Sequence, residues 1–317
     1  MKRVLVTGAR GFIGSQLCKR LAASGVELHA VSRQPPADAV DWWRSIGGNA
    51  TDAQQAAAIR WCGVDLSDLQ ATRELIRTVR PDTTYHLASL VTGSRSLEMV
   101  LPILQNNFVT AFNLLLATAE SGAGRIVLAG SFEEPDDTDI VPCSPYAAAK
   151  GAASAYARMF RALYQTEVVM AKIFMVYGPG QADLTKLVPY VTTAFLRGEQ
   201  PRLSSGIRLV DWICVDDVVD GLIACASAPG ADGHTVDLGS GEVCSIREIV
   251  QKLRELIPGA PEPLFGAISD RPLERLAKAD VGTSCKLIGW SPSTTLEAGL
   301  RRTVDWYGHL PGESVGA

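Results

Sequence analysis

The sequence predicts an α/β fold with a doubly wound parallel sheet and a smaller α/β C-terminal lobe. Three observations carry this. Short β-branched runs alternate with amphipathic stretches through the first half, a glycine-rich turn joins the first run to the first helix, and the alternation coarsens beyond Gly178.

In chain order, VLVT (4–7) reads as a buried strand. Ile13, Leu17 and Leu21 then recur at helical spacing until Gly25 supplies a C-cap. ELHAVS (27–32) is the second strand. Residues 34–60, with Pro35, Pro36, Trp42 and Trp43, read as an irregular surface insertion. VDL (64–66) has the character of a strand end, and the helix carrying Thr72 to Ile76 stops before Pro81. TTYHLAS (83–89) is a strand, followed by a long helical stretch that includes 106–120. RIVLAGS (125–131) precedes a helix opened by Pro145 and running to about Leu163. EVVMAKIFMVYG (167–178) reads as one further strand. The remaining elements, at 185–198, 212–226 and 244–256, suggest a separate lobe. The expected division is 1–178 for the main domain and 179–317 for the lobe, with segments such as 208–240 returning to the main domain.

The composition bounds the function. With 47% hydrophobic and 20% charged residues the chain is globular, and a net charge of -4 offers nothing to nucleic acid or an anionic membrane. No apolar run reaches the length expected of a bilayer span. Met1-Lys2-Arg3 leads straight into the first strand, so no signal peptide is expected. The seven cysteines are dispersed without metal spacing, as in reduced cytoplasmic proteins, and no metal is expected.

TGARGFIG (7–14) places Gly8, Gly11 and Gly14 where a backbone must turn tightly, approach a pyrophosphate and pack a helix on a sheet. The free N–H groups of the helix start then face the phosphates. The second strand ends Val31-Ser32-Arg33, with no acidic residue until Asp38 to hold a ribose 2′-hydroxyl. Arg33, with Arg10 opposite, suits a 2′-phosphate, so NADP(H) is expected rather than NAD(H).

CSPYAAAK (143–150) sets Tyr146 and Lys150 one helical turn apart, and Ser131 ends a strand fifteen residues upstream of Tyr146. Hydride transfer at a carbonyl needs a proton donor and acceptor at its oxygen. Tyrosine is a poor base at neutral pH, and a lysine ammonium one turn away is expected to lower its pKa. Ser131 would bind the same oxygen.

With the glycine turn, YHLAS (85–89) and YAAAK (146–150) in this order, the chain resembles the extended short-chain dehydrogenase/reductase superfamily, in its NAD(P)-dependent epimerase/dehydratase group. VDL (64–66), VYGPGQ (176–181), VDWICVDDVVDGL (210–222) and DRPLE (270–274) extend the resemblance over nearly the whole chain. It implies a Rossmann-like fold and a catalytic set of Ser131, Tyr146 and Lys150. It implies cofactor contacts from Gly8, Arg10, Gly11, Phe12, Ile13, Gly14, Ser32 and Arg33, with Asp65 and Leu66 near the adenine. Leu87, Ala88, Ile173 and Phe174, with Tyr146 and Lys150, would complete that surface. Asn107 matches an asparagine beside the catalytic helix. Substrate contacts are expected from Thr92, Phe132, Glu133, Met175, Lys186, Arg208 and Arg271. His86 is expected to be structural. A homodimer is implied through the helices bearing Asn107 and Tyr146.

Departures from the family pattern choose among reactions. Dehydratases carry Asp-Glu after the catalytic Ser or Thr, whereas Phe132-Glu133 follows Ser131 here; losing the Asp argues against dehydration, although Glu133 remains as a base. An NADPH-dependent ketoreductase acting at C4 of a nucleotide-activated deoxysugar is the first expectation. A nucleotide-sugar 4-epimerase is the second. Met175 and Val210, where phosphate-gripping members often carry Asn and Arg, favour a third, reduction of an apolar non-sugar ketone. A non-catalytic NADP-binding regulator is the fourth, disfavoured by the intact Ser131, Tyr146 and Lys150.

Overall fold

β1 (Arg3–Thr7) is buried from Val4 onward, because helices cover both faces of the sheet at whose middle it lies. The computed structural model describes residues 2–48, 53–135, 137, 139–274 and 276–309. The glycine turn leads into α1 (Phe12–Ala23), which buries Leu17, Cys18 and Leu21. β2 (Glu27–Ser32) runs parallel to β1, with Thr7 beside Val31.

The next segment differs from the irregular surface insertion expected. It forms α2 (Ala39–Ser45) and α3 (Ala53–Ala58), while residues 49–52 lie outside the described residues. Asp38 starts α2 by accepting from the backbone N–H groups of Val40 and Asp41 at 2.7 and 3.0 Å. Trp42 and Trp43 are buried rather than exposed, and Trp42 meets Trp61 edge-on with ring centroids 4.9 Å apart. Two large indoles outweigh the small residues around them.

β3 (Arg60–Gly63) ends before VDL (64–66), and α4 (Leu69–Val79) follows, capped by Asp68. β4 (Thr83–His86) is buried throughout. One helical run, Leu97–Ser121, then contains α5 (Val100–Leu104), a π-helical turn at Gln105–Val109 and α6 (Thr110–Ser121). By length and composition alone this run is apolar enough to cross a bilayer, against the expectation that no stretch would be. Here its buried side packs in the core beside α4. β5 (Arg125–Ser131) leads to α7 (Pro145–Tyr164), where the Ser144 hydroxyl accepts from Ala147 N–H at 3.1 Å and Pro145 occupies the first turn.

The stretch expected as one strand at 167–178 is two. β6 (Val168–Ile173) belongs to the main sheet, and β7 (Met175–Tyr177) pairs with a strand of the smaller one. Phe174 sits at the break, its N–H bonded to Leu238 O at 3.0 Å. α8 (Leu187–Leu196), β8 (Leu209–Cys214) and α9 (Val215–Ser227) follow. β9 (Thr235–Leu238), β10 (Val243–Ser245) and α10 (Ile246–Leu256) come next, then α11 (Val281–Ile288) and α12 (Leu296–Gly308).

The main sheet is seven parallel strands in the order β3-β2-β1-β4-β5-β6-β9, a Rossmann-like doubly wound arrangement. The smaller sheet is β10-β8-β7. Strand alternation divides the core. Val4 and Val6 face a cluster with α1 and α9, whereas Leu5 faces another with α4, α6 and α7. A third cluster fills the small lobe. The strand order reverses between β1 and β4, so a crevice opens at their carboxyl ends, where Thr7 lies beside His86.

Candidate active site

The glycine turn closes on the start of α1 because Gly8 and Gly14 exclude a side chain. Gly8 has φ +67°, and a Cβ there would lie 2.7 Å from Leu87 O and Ala88 N. A Cβ on Gly14 would lie 2.2 Å from Gly8 O. Gly11 donates to Gly8 O at 2.9 Å and starts α1 without any side-chain cap, with Phe12 and Ile13 in the first turn. The N–H groups of that turn are therefore left for a ligand, and the missing Cβ atoms leave the backbone open to it. This cradle fits a dinucleotide phosphate on its own geometry.

At the end of β2, Ser32 Oγ donates to Gln34 O at 3.0 Å and the Arg10 guanidinium reaches the same carbonyl at 2.7 Å. Arg33 is exposed beside Asp65. Asp65 accepts from Ser67 N–H and Oγ at 2.9 and 2.8 Å, and these bonds, with Arg33, hold its carboxyl below the usual range. Leu66 is buried, and its carbonyl accepts from Asn113 Nδ2 at 2.9 Å.

Three residues converge at the ends of β5 and α7. Ser131, Tyr146 and Lys150 are all buried. The Tyr146 hydroxyl interacts with the Ser131 and Ser89 side chains. Lys150 Nζ donates to Ala129 O at 2.8 Å and lies 5.9 Å from the Tyr146 ring centroid. Burial pulls the Lys150 pKa down to about 8, against the opposing pull of the nearby Glu134 charge. The expected lowering of the Tyr146 pKa is not found. Burial raises it above the ordinary value, Glu133 and Glu134 add to the rise, and the bond to Ser131 offsets part of it. Tyr146 is thus held in its protonated form.

His86 contributes no charge. Burial and the neighbouring Lys150 lower its pKa to about 3, and its Nδ1 pairs with Thr7 Oγ1 at 2.8 Å. Thr7 Oγ1 also accepts from Ala88 N–H at 3.2 Å, so this pair shapes the Leu87–Ala88 backbone against Gly8.

The expected substrate residues fall into two groups. Thr92, Lys186 and Arg271 gather around one loop: Thr92 Oγ1 accepts from Ser94 N–H at 3.1 Å and Lys186 Nζ donates to Val91 O at 3.0 Å. The Arg271 guanidinium packs on Gly93. Phe132, Glu133 and Arg208 line a cavity of about 60 Å³ with Cys143 and Leu273. Arg208 pairs with Glu274 at 3.1 Å and lies 5.8 Å from the Phe132 ring centroid. Burial raises the Glu133 pKa, with Arg208 opposing. Phe132 stacks on Phe174 at 5.7 Å, and Ile173 is buried beside them. Val210 belongs to the buried core of the small lobe and Met175 packs against that core, so the apolar substrate wall expected from these two has no support.

Several residues here escaped the sequence. Ser89 Oγ donates to Asn107 Oδ1 at 2.7 Å, and Asn107 also accepts from Leu90 N–H at 2.8 Å. Arg95 donates to Cys143 O and Pro272 O at 2.7 and 2.5 Å, tying two walls of the crevice. Their partners lie 18 to 177 positions away, beyond any local spacing. Asn107, expected from the resemblance, sits in the π-helical turn and was the one pointer toward Ser89.

Comparison with known proteins adds to this geometry. The family described as NAD dependent epimerase/dehydratase matches residues 4–239. A UDP-glucose 4-epimerase of Mycolicibacterium smegmatis is 28% identical, with 96% of this chain and 98% of that protein covered. A dTDP-glucose 4,6-dehydratase of Neisseria gonorrhoeae is 27% identical, over 96% and 95%. Among solved structures, MoeE5 in complex with UDP-glucuronic acid and NAD superposes with a TM-score of 0.81 at 30% identity, covering 96% of this chain and 98% of that one.

Proposed function

Because the chain belongs to the NAD dependent epimerase/dehydratase family, we propose that it inverts C4 of a nucleotide-activated sugar, using an NAD that it keeps bound. The observation that carries this choice within the family is Phe132. Elimination of water needs an acid beside the oxidised carbon, and the position after Ser131 holds a phenyl ring stacked on Phe174. Glu133 alone is left of the Asp-Glu pair, and oxidation and reduction at one carbon need no such pair. The similarity to a UDP-glucose 4-epimerase and to an NAD complex supports a cycle that closes on itself.

When bound, the dinucleotide would supply the hydride acceptor and donor for the sugar carbon. The glycine cradle of Gly8, Gly11 and Gly14 would hold its phosphates, with Asp65 and Leu66 toward the adenine and Ile173 and Phe174 toward the nicotinamide. The chain's own part is proton transfer. The positive charge of a bound oxidised dinucleotide and the Lys150 ammonium would favour the tyrosinate, whose Oη would take the C4 hydroxyl proton as that carbon is oxidised and return it when it is reduced. Ser131 orients the same oxygen, and the Lys150 ammonium stabilises negative charge on Tyr146. Thr92, Lys186 and Arg271 would meet the diphosphate, and the cavity of Phe132, Glu133 and Arg208 would meet the sugar.

A second reading, net reduction of a 4-keto sugar by NADPH, is favoured by Arg10 and Arg33 at an end of β2 that offers no carboxylate. One experiment separates the two. The purified protein is incubated with UDP-glucose or UDP-galactose without added reductant. Interconversion supports epimerisation; consumption of NADPH with a 4-keto sugar and no interconversion supports reduction.

The same reading includes a dimer. Leu97, Leu101 and Leu104 are exposed on the long helical run, and Tyr156, Leu163 and Tyr164 on α7. Two adjacent helices with apolar exposed faces suit a second copy of the chain. Sedimentation as a dimer is expected, and as a monomer in Leu101→Glu.

A further inference from the structure

The proton-transfer residues lie on two elements, Ser131 at the end of β5 and Tyr146 with Lys150 on α7, so something must fix the strand end against the helix. Tyr146, Lys150 and Ser154 form one stripe at four-residue spacing along α7, and all are buried. Glu134, also buried, bridges the gap. Its Oε1 accepts from the backbone N–H of Ser131 at 2.6 Å, and its Oε2 accepts from Ser154 Oγ at 2.7 Å. Its own N–H closes the turn onto Ser131 O at 3.0 Å.

The room for this carboxylate is made by Gly130. A Cβ there would lie 2.6 Å from Glu134 Oε1, although the position needs no left-handed backbone. Both carboxylate oxygens are thus used inside the protein, with charge-assisted bonds offsetting the cost of burial. One bond fixes the residue that orients the substrate oxygen. The other fixes the helix one turn beyond Lys150.

We propose that Glu134 is a positioning residue that ties Ser131 to α7 and so sets the Ser131 hydroxyl against Tyr146. It acts through hydrogen-bond geometry at one wall of the cavity that it lines with Phe132 and Glu133, and its charge also bears on Tyr146 and Lys150. A glutamine keeps an acceptor for the Ser131 N–H and a partner for Ser154, whereas an alanine keeps neither. The inference rests on the proposed proton-transfer roles of Ser131 and Tyr146.

The test compares wild type, Glu134→Gln, Glu134→Ala, Ser154→Ala and Gly130→Ala as cofactor-loaded proteins turning over a nucleotide sugar. Displacing a reacting group by an ångström costs on the order of 100-fold, so kcat of Glu134→Ala should fall about 10- to 100-fold with KM and cofactor affinity within about two-fold. Gly130→Ala should behave alike, and Ser154→Ala should lose roughly several-fold as one of two anchors goes. Glu134→Gln should keep kcat at its optimum within about two-fold of wild type, with its pH profile moved because the charge facing Tyr146 and Lys150 is gone. If Glu134→Ala does not fold, Ser154→Ala and Glu134→Gln decide. A wild-type kcat in Ser154→Ala, or a loss in Glu134→Gln as deep as in Ser154→Ala or deeper, overturns the tether. A wild type inactive on every nucleotide sugar instead refutes the reading of the site beneath it.

Discussion

Lys150 and Tyr146 lie one turn apart on α7, both buried, with the ammonium 5.9 Å from the phenol ring centroid and bonded to Ala129 O at 2.8 Å. This spacing lets the lysine act on tyrosine charge without bonding it. Burial shifts both groups toward their neutral forms, so the lysine titrates near 8 while the tyrosine keeps its proton well above neutrality.

Tyr146→Phe removes the proton-carrying oxygen and little else. Loss of a positioned acid-base group costs about 10²- to 10⁴-fold, so kcat should fall by that factor. Cofactor affinity, measured by fluorescence titration, should stay within about two-fold of wild type. Retained turnover would assign proton transfer to another residue.

Ser89→Ala tests the hydroxyl opposite Ser131. Ser89 spends its one hydroxyl hydrogen on Asn107 Oδ1 at 2.7 Å, so it can only accept from Tyr146 and thereby favours the protonated phenol. Its removal should lower the Tyr146 pKa: the rising limb of kcat/KM against pH should move to lower pH, and Ser89→Thr should restore it. Glu133, Glu134 and Lys150 face the same hydroxyl and are unchanged in both variants. An unmoved limb would leave Ser89 as only a partner of Asn107.

His86 links stability to acid. Its folded pKa of about 3 lies below the ordinary 6.5, so the folded protein binds fewer protons between these values. Its contribution is therefore present above 6.5 and lost as pH falls toward 3. At about pH 5 the loss is roughly 2 kcal/mol relative to neutrality, by the pKa linkage. Denaturant titration should show that acid-dependent loss in wild type and a shallower one in His86→Asn. Equal slopes would contradict a neutral buried imidazole.

Arg33→Asp reads the cofactor choice. If Arg33 meets a 2′-phosphate, the ratio of NADP to NAD affinity should fall about 10-fold or more, the loss of one charged contact. A constant ratio places Arg33 outside the cofactor site and strengthens the NAD reading.

Much of the fold was legible because its signals are local. ELHAVS and RIVLAGS coincide with β2 and β5, and Pro145 with the first turn of α7, since strand patterning and capping act within a few residues. The break at Phe174 was not, because one continuous apolar run serves two sheets and only the pairing partners, β9 and β8, divide it. Trp42 and Trp43 hid their burial in a stretch of small polar residues. In the site, the glycine turn and the YAAAK spacing are local. Ser89, Glu134 and Ser154 became visible only once β4, β5 and α7 were side by side, through bonds that span up to 20 positions.

The proposed cycle oxidises and re-reduces C4 of a nucleotide sugar without net consumption of reductant. The most direct measurement follows a nucleoside-diphosphate hexose by NMR in the presence of the purified protein and catalytic NAD alone. The C4 epimer should accumulate to equilibrium with no net change in the ratio of oxidised to reduced cofactor, and Tyr146→Phe should slow it about 10²- to 10⁴-fold. No epimer from any nucleotide sugar, with stoichiometric NADPH oxidation on a 4-keto sugar instead, would contradict it.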